Sequence, residues 1–137
     1  MTDTAAAELD AYFRAYAQTL GDMDAPATAA LWGEPGMMVT DDFIGTVATR
    51  EELAAGLAGS QPEYRAQGLA RATHTLVDHA VLSDRLLRAH VRWHFWKADG
   101  ARIVDADFEY LLRRDDDGLR AYVATLRDGD GDARDAG

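Results

Sequence analysis

The sequence predicts an α+β fold in which one antiparallel sheet packs against two or three N-terminal helices. Apolar residues recur at helical spacing in the first half of the chain, and long strand-like segments fill the second half. Turn residues separate those later segments. Helices followed by strands on short turns favour an antiparallel meander with one face covered by the helices.

The first half of the chain carries three helix patterns. Apolar residues predict a first helix over about 4–20, which ends at Gly21. Asp24 is placed to cap a short second helix that ends near residue 31. The run 37–39 predicts a short strand. Thr49 and Glu52 form a capping box for a third helix, which ends near Gly59.

The second half predicts long strands over about 70–82, 85–97, 102–114 and 119–127. The middle two strands form a hairpin, because Asp99-Gly100 is a strong signal for a two-residue type I′ turn. That turn places Ala98 opposite Ala101, and one face of the hairpin is then apolar. The other face pairs a base with an acid at each step: His94 with Asp105, Arg92 with Asp107, and His90 with Glu109. A shift of one residue would scramble both faces.

The preceding turn, Ser83-Asp84, leaves two registers open. A two-residue loop places His74 opposite Trp93 and Asp78 opposite Ala89, on the covered face. A three-residue loop moves His74 and Asp78 to the outer face. We expect the first arrangement.

Composition limits the possible functions. A length of 137 residues predicts a single domain over 1–127, and we expect the acidic, glycine-rich segment 128–137 to be a disordered tail. A net charge of −10 disfavours nucleic acid and anionic membranes as partners. The absence of cysteine excludes disulfides and thiol chemistry. No long apolar run or signal-peptide pattern is present, which predicts a cytoplasmic protein.

The element order resembles the nuclear transport factor 2-like superfamily over residues 5–127. The resemblance rests on the helix with Tyr12 and Tyr16, the joint 21–24, the strand that ends in Asp41-Asp42, the Thr49-capped helix and the run 108–114. It implies a cone-shaped roll of curved sheet with a deep apolar pocket. Ketosteroid isomerase, SnoaL-type polyketide cyclases, scytalone dehydratase and limonene epoxide hydrolase share this fold. Homodimers are common among such proteins, so we expect a homodimer.

The resemblance also suggests catalytic residues. Val39-Thr40-Asp41 matches the pattern in which the general base of ketosteroid isomerase closes the first strand, so Asp41 is the first candidate. Arg14 occupies the position of the isomerase's oxyanion-hole tyrosine, and Tyr110 occupies the position of its protonated aspartate. Neither of those hydrogen-bond donors is therefore present as the same residue type. Tyr16 and Tyr110 supply phenolic donors instead.

An Asp/His pair performs acid-base chemistry in SnoaL-like cyclases, and His74 with Asp41 or Asp78 is placed to do the same. Each candidate also has an ordinary structural role. Aspartates that follow a strand favour turns, and a histidine among aromatics is commonly a core residue.

The inward-facing residues predict a pocket for a small apolar molecule. Its expected lining is Phe13, Trp32, Val91, Trp93, Phe95, Phe108, Tyr110 and Asp78. We expect no metal, because no compact ligand motif is present, and no cofactor.

Three functions remain open. The first is a cofactor-free isomerase, cyclase or dehydratase that uses Asp41 with Tyr16 or His74. The second is a non-catalytic module of the same fold that binds a ligand or dimerises. The third is an interaction protein whose working surface is the charged outer face.

Overall fold

The computed structural model describes residues 4–127 and confirms the α+β architecture. The predicted tail, 128–137, lies outside the described residues. The helices are α1 (Thr4–Gly21), α2 (Ala25–Ala29) and α3 (Arg50–Ala66). The strands are β1 (Trp32–Thr40), β2 (Phe43–Val47), β3 (Leu69–Val81), β4 (Leu86–Lys97), β5 (Arg102–Asp115) and β6 (Gly118–Arg127).

These strands form one curved sheet in the order β2-β1-β6-β5-β4-β3. β1 runs parallel to β6, and the other neighbours are antiparallel. The short strand β2 was not predicted from the sequence. It forms a hairpin with β1 across the two-residue turn Asp41-Asp42.

The helices begin where their capping residues predict. The Asp24 carboxylate accepts a hydrogen bond from the amide of Ala27 at 3.1 Å. The Thr49 hydroxyl accepts from the amide of Glu52 at 3.1 Å, and the Glu52 carboxylate accepts from the amide of Ala48 at 2.8 Å. The third helix is longer than predicted, because it continues past Gly59 to Ala66. None of its residues is fully buried.

The β4–β5 hairpin has the predicted register, from Phe95 opposite Val104 to Ala89 opposite Tyr110. The predicted turn is wrong. Residues 98–100 form a three-residue loop, in which Gly100 has a φ of +90° and donates to the carbonyl of Lys97. The extra loop residue is compensated in β5, where Ile103 forms a bulge and restores the register.

The β3–β4 hairpin shows the same compensation. Its loop has three residues, since the amide of Leu82 donates to the carbonyl of Leu86 at 2.8 Å. A bulge at Val77 then shifts the pairing, so that His74 lies opposite Trp93 as predicted. Asp78 lies opposite His90 on the outer face, so its predicted place on the covered face is wrong.

The core lies between α1 and the inner, concave face of the sheet. α1 contributes a stripe of buried residues at helical spacing: Ala5, Leu9, Tyr12, Phe13, Tyr16 and Ala17. The strands contribute alternate residues, which are Ala72, Leu87, Ala89, Val91, Trp93, Tyr110, Leu112, Leu119, Ala121 and Ala124 together with Trp32.

Candidate functional site

The inner face of the sheet is packed at one end and open at the other. Along β5 the exposed fraction rises from 0% at Leu112 and 4% at Tyr110 to 50% at Val104. Along β6 it rises from 1% at Ala124 to 46% at Leu126. Both open-end residues belong to the inner face, because Val104 pairs with Phe95 and Leu126 pairs with Phe108.

Two further apolar side chains border this opening. Phe43, at the start of β2, is 57% exposed, and Tyr64 of α3 is 44% exposed. The Tyr64 ring stacks on Phe95 with their centroids 6.3 Å apart, so α3 lies beside the open end. We call this open end the mouth, and define it by Phe43, Tyr64, Phe95, Val104, Ala106, Phe108 and Leu126.

A hydrogen-bonded aromatic cluster lies below the mouth. The indole Nε1 of Trp32 donates to the Tyr16 hydroxyl at 3.0 Å, and that of Trp93 donates to the Tyr110 hydroxyl at 2.9 Å. The rings of Tyr16 and Tyr110 lie 6.2 Å apart, so the two hydrogen-bonded pairs belong to one cluster. Phe108 connects the cluster to the mouth, because its ring lies 6.0 Å from that of Tyr110.

The local sequence explains this cluster. Tyr16 belongs to the buried stripe of α1, and Trp93 and Tyr110 each face an alanine across the β4–β5 ladder. Small residues opposite large rings leave those rings room to lie across the sheet. Burial raises the pKa of Tyr16 to about 12 and that of Tyr110 well above its ordinary value. Both hydroxyls are therefore neutral at physiological pH.

His74 has a different partner from either predicted one. Its Nε2 lies 2.7 Å from the carboxylate of Asp10 on α1. The predicted pair with Asp41 is wrong, since β6, β5 and β4 separate β1 from β3. The pair with Asp78 is also wrong, because Asp78 lies on the outer face. Asp10 precedes the buried Phe13 by three residues and therefore lies on the same face of α1. This spacing is the sequence feature from which a partner for His74 on α1 could have been predicted.

The His74–Asp10 pair lies in a cleft of about 450 Å³ between α1 and β3. The His74 side chain is 8% exposed and that of Asp10 is 48% exposed. The imidazole lies 6.2 Å from the ring of Trp93 and 6.1 Å from that of Phe13. The pair therefore joins α1 to the edge of the sheet, outside the mouth.

Asp41 and Asp42 are exposed in the β1–β2 turn, where the amide of Asp42 donates to the Thr40 hydroxyl at 3.3 Å. β1 runs parallel to β6, so this turn lies at the same end of the sheet as Leu126. Asp41 is thus at the rim of the mouth. Its catalytic role remains a prediction.

The predicted lining residues divide into two groups. Phe95 and Phe108 are partly buried and line the mouth. The others are 5% exposed or less and belong to the packed core: Phe13, Trp32, Val91, Trp93 and Tyr110. Asp78 belongs to neither group, since its carboxylate is hydrogen-bonded to Arg88 at 3.2 Å. That bond lowers the pKa of Asp78.

The outer face carries the predicted charge ladder. Arg92 and His94 bond their opposite acids, Asp107 and Asp105, at 2.8 and 2.9 Å. His90 lies opposite Glu109, but its Nε2 is bonded at 2.9 Å to Asp107, which is two residues away on the same face of β5. Burial disfavours the charge on Asp107, yet its hydrogen bonds to Arg92 and His90 lower its pKa. Much of this charge is neutralised within the sheet.

Two further findings concern residues 4–127. Their His, Asp and Glu side chains form no group of three or more that is arranged to hold a metal ion. In the same part of the chain, no helix is long and apolar enough to span a bilayer.

Residues 3–129 match the family described as NTF2-like protein (DUF6841). The chain belongs to that family. The match confirms the resemblance inferred from element order and the fold that it implies. No curated protein matches the chain.

Solved structures share this fold at low identity. A domain with a cystatin-like fold from Nostoc punctiforme superposes with a TM-score of 0.76 at 14% identity, covering 99% of this chain and 84% of that one. A ketosteroid isomerase-like protein from Erwinia carotovora atroseptica has a TM-score of 0.63 at 16% identity, with 88% and 92% covered. A protein from Catenulispora acidiphila in complex with S-DNPA has a TM-score of 0.67 at 16% identity, with 90% and 93% covered.

Proposed function

We propose that this protein binds a small, largely apolar molecule in the mouth. The observation that carries the proposal is the exposure of inner-face side chains, which is 57% for Phe43, 50% for Val104 and 46% for Leu126. A folded domain ordinarily covers the apolar face of its sheet, and an uncovered concave patch is typical of a ligand site.

The aromatic cluster suggests the polar part of the ligand. The Tyr16 hydroxyl accepts a hydrogen bond from the indole of Trp32, which leaves its own proton as a donor for a ligand. Because burial keeps the hydroxyl neutral, it suits an uncharged acceptor. A carbonyl oxygen on an otherwise apolar ring system meets this description.

Two of the solved structures support a ligand-binding or isomerase-type domain. One is described as ketosteroid isomerase-like, and another is described as being in complex with S-DNPA.

The test compares 1-tetralone with tetralin, which has the same rings but no carbonyl, by titration calorimetry. We expect the ketone to bind about fivefold more tightly, since one added hydrogen bond contributes about 1 kcal/mol. Tyr16→Phe should remove that preference and retain binding of tetralin. Tyr122→Phe is the matched control, because the Tyr122 hydroxyl bonds Asp115 instead.

A second pair of variants tests the location. Val104→Asp places a charge on the wall of the mouth and should abolish binding of both probes. Val81→Asp alters a residue of the same type and similar exposure, 54% against 50%, and should leave binding unchanged. Equal effects of the two variants, or no binding of either probe to the wild type, would overturn the proposal.

Proton transfer is a second candidate function, favoured by the position of Asp41 at the rim beside Phe43. In this scheme the Asp41 carboxylate takes a proton from the carbon next to the carbonyl, and the Tyr16 hydroxyl donates to the resulting enolate oxygen. The test is exchange of the C2 protons of 1-tetralone in D₂O, followed by NMR. Acceleration that Asp41→Asn removes and Asp42→Asn preserves supports catalysis. No acceleration by the wild type leaves a binding module.

A further inference from the structure

Three side chains on the outer face of the sheet, away from the mouth, form one hydrogen-bonded chain. The hydroxyl of Thr75 on β3 lies 2.9 Å from Nε2 of His94 on β4. Nδ1 of the same imidazole lies 2.9 Å from the carboxylate of Asp105 on β5. A hydroxyl, an imidazole bonded to it and a carboxylate that orients the imidazole are the parts of an activated nucleophile, on whatever fold they occur.

The carboxylate determines where the imidazole carries its proton. An ionised carboxylate only accepts hydrogen bonds, so Nδ1 of His94 is the protonated nitrogen and donates to Asp105. In the neutral ring Nε2 is then an acceptor, and the Thr75 hydroxyl donates to it. The hydroxyl proton is therefore directed at the base that removes it, which is the arrangement that nucleophilic catalysis requires.

Neighbouring side chains hold the base and its carboxylate in place. Arg102 donates to the second oxygen of Asp105 at 2.8 Å, so both oxygens of that carboxylate are engaged. The ring of Trp96 lies 6.3 Å from that of His94, and the His94 side chain is only 18% exposed. The base is thus shielded, whereas Thr75 is exposed and can be reached by a molecule in solution.

A second threonine on this face has a different hydrogen bond. Thr73, rather than Thr75, lies directly opposite His94 in the β3–β4 register. The Thr73 hydroxyl accepts from Nε1 of Trp96 at 2.9 Å, and the imidazole bonds the diagonal neighbour Thr75 instead. Of these two threonines, only Thr75 has its hydroxyl on a base. Thr73 is therefore a matched control for it.

We propose that Thr75 is an activated nucleophile that accepts an acyl group from an aryl ester. Its Oγ attacks the carbonyl carbon and forms a new C–O bond, while the hydroxyl proton passes to Nε2 of His94. The bond to the aryl oxygen then breaks, and the phenol leaves with that proton. An aryl oxygen departs readily, which suits a nucleophile on an open sheet face.

Water completes the cycle. The imidazole of His94 takes a proton from water as the water oxygen attacks the acyl-threonine, and then returns the proton to the Thr75 oxygen as the carboxylic acid is released. The net reaction is hydrolysis of the ester. It needs no further reactant, and it is independent of the ligand proposed for the mouth.

The experiment treats the full chain with p-nitrophenyl acetate and locates the acetyl groups by peptide mass spectrometry over time. Mapping is required because Lys97, the only lysine in the sequence, reacts with such esters directly. We expect acetylation of Thr75 in the wild type. General-base catalysis contributes about 10²–10⁴-fold, so His94→Gln should slow acetylation of Thr75 at least about a hundredfold. Thr73→Val should leave its rate unchanged.

Thr75→Val and Thr75→Ser complete the test, with circular dichroism to verify that each variant is folded. Thr75→Val should remove the acetyl group from this strand, and Thr75→Ser should retain it, since a primary hydroxyl is less hindered. Acetylation of Lys97 without acetylation of Thr75 in the wild type overturns the proposal. Equal rates of Thr75 acetylation in the wild type and in His94→Gln overturn it as well, because the imidazole is then not acting as a base.

Discussion

Replacing Tyr110 by phenylalanine removes one oxygen from the centre of the core. That oxygen accepts from Trp93 Nε1 at 2.9 Å, and the Trp93 side chain is almost wholly buried. An indole N–H left buried without an acceptor costs about 1–3 kcal/mol. We therefore expect Tyr110→Phe to lower the free energy of unfolding by about 1–3 kcal/mol.

The assay is urea unfolding followed by circular dichroism, with the midpoint compared at constant m-value. Tyr64→Phe makes the same chemical change at a residue that is 44% exposed, and should stay within about 0.5 kcal/mol of the wild type. A double-mutant cycle with Trp93→Phe should give a coupling energy of about 1 kcal/mol or more. A Tyr110→Phe midpoint as close to the wild type as that of Tyr64→Phe would refute the reasoning.

Three further predictions concern stability and use the same assay. Tyr16 has a pKa of about 12 in the folded chain and about 10 when unfolded, so its stabilisation is present below pH 10. It should be lost progressively between pH 10 and 12, by about 3 kcal/mol. Tyr16→Phe should remove that share of the pH dependence, while Tyr110, whose pKa is also raised, keeps its own. Gly100→Ala should cost about 1–2 kcal/mol because φ is +90° there, whereas Gly56→Ala, in open space on α3, should stabilise. Asp10→Ala should lower the free energy of unfolding by about 1–2 kcal/mol, because it leaves the His74 side chain without its carboxylate partner. An unchanged free energy of unfolding would contradict a structural role for that pair.

The β4–β5 register could be predicted because two independent patterns agree on it. An apolar face and a ladder of opposite charges both require Phe95 opposite Val104 and His94 opposite Asp105. The turn could not be predicted in the same way. The extra residue in the loop and the bulge at Ile103 each shift the pairing by one, and together they cancel.

The β3–β4 hairpin shows the limit of inference from loop length. The loop has three residues, which by itself would have turned His74 outward, and the bulge at Val77 restores His74 to the inner face. Beyond the bulge Asp78 is outward. The position of a bulge depends on the twist and curvature of the whole sheet, which the local sequence does not specify. The strand β2 was missed for a related reason, since five residues are too few to show a clear alternation.

The division of the inner face into core and mouth depends on the path of α1. Near its start, Glu8 forms a bidentate pair with Arg114 at the closed end of β5, and its end, Gly21, lies against Ala72 on β3. The helix thus crosses the sheet diagonally and leaves uncovered the corner where Val104 and Leu126 lie. α3 lies beside that corner without burying any of its own residues. The apolar face of the β4–β5 hairpin could be predicted from the sequence, but only the crossing direction of α1 determines which of its side chains a ligand can reach.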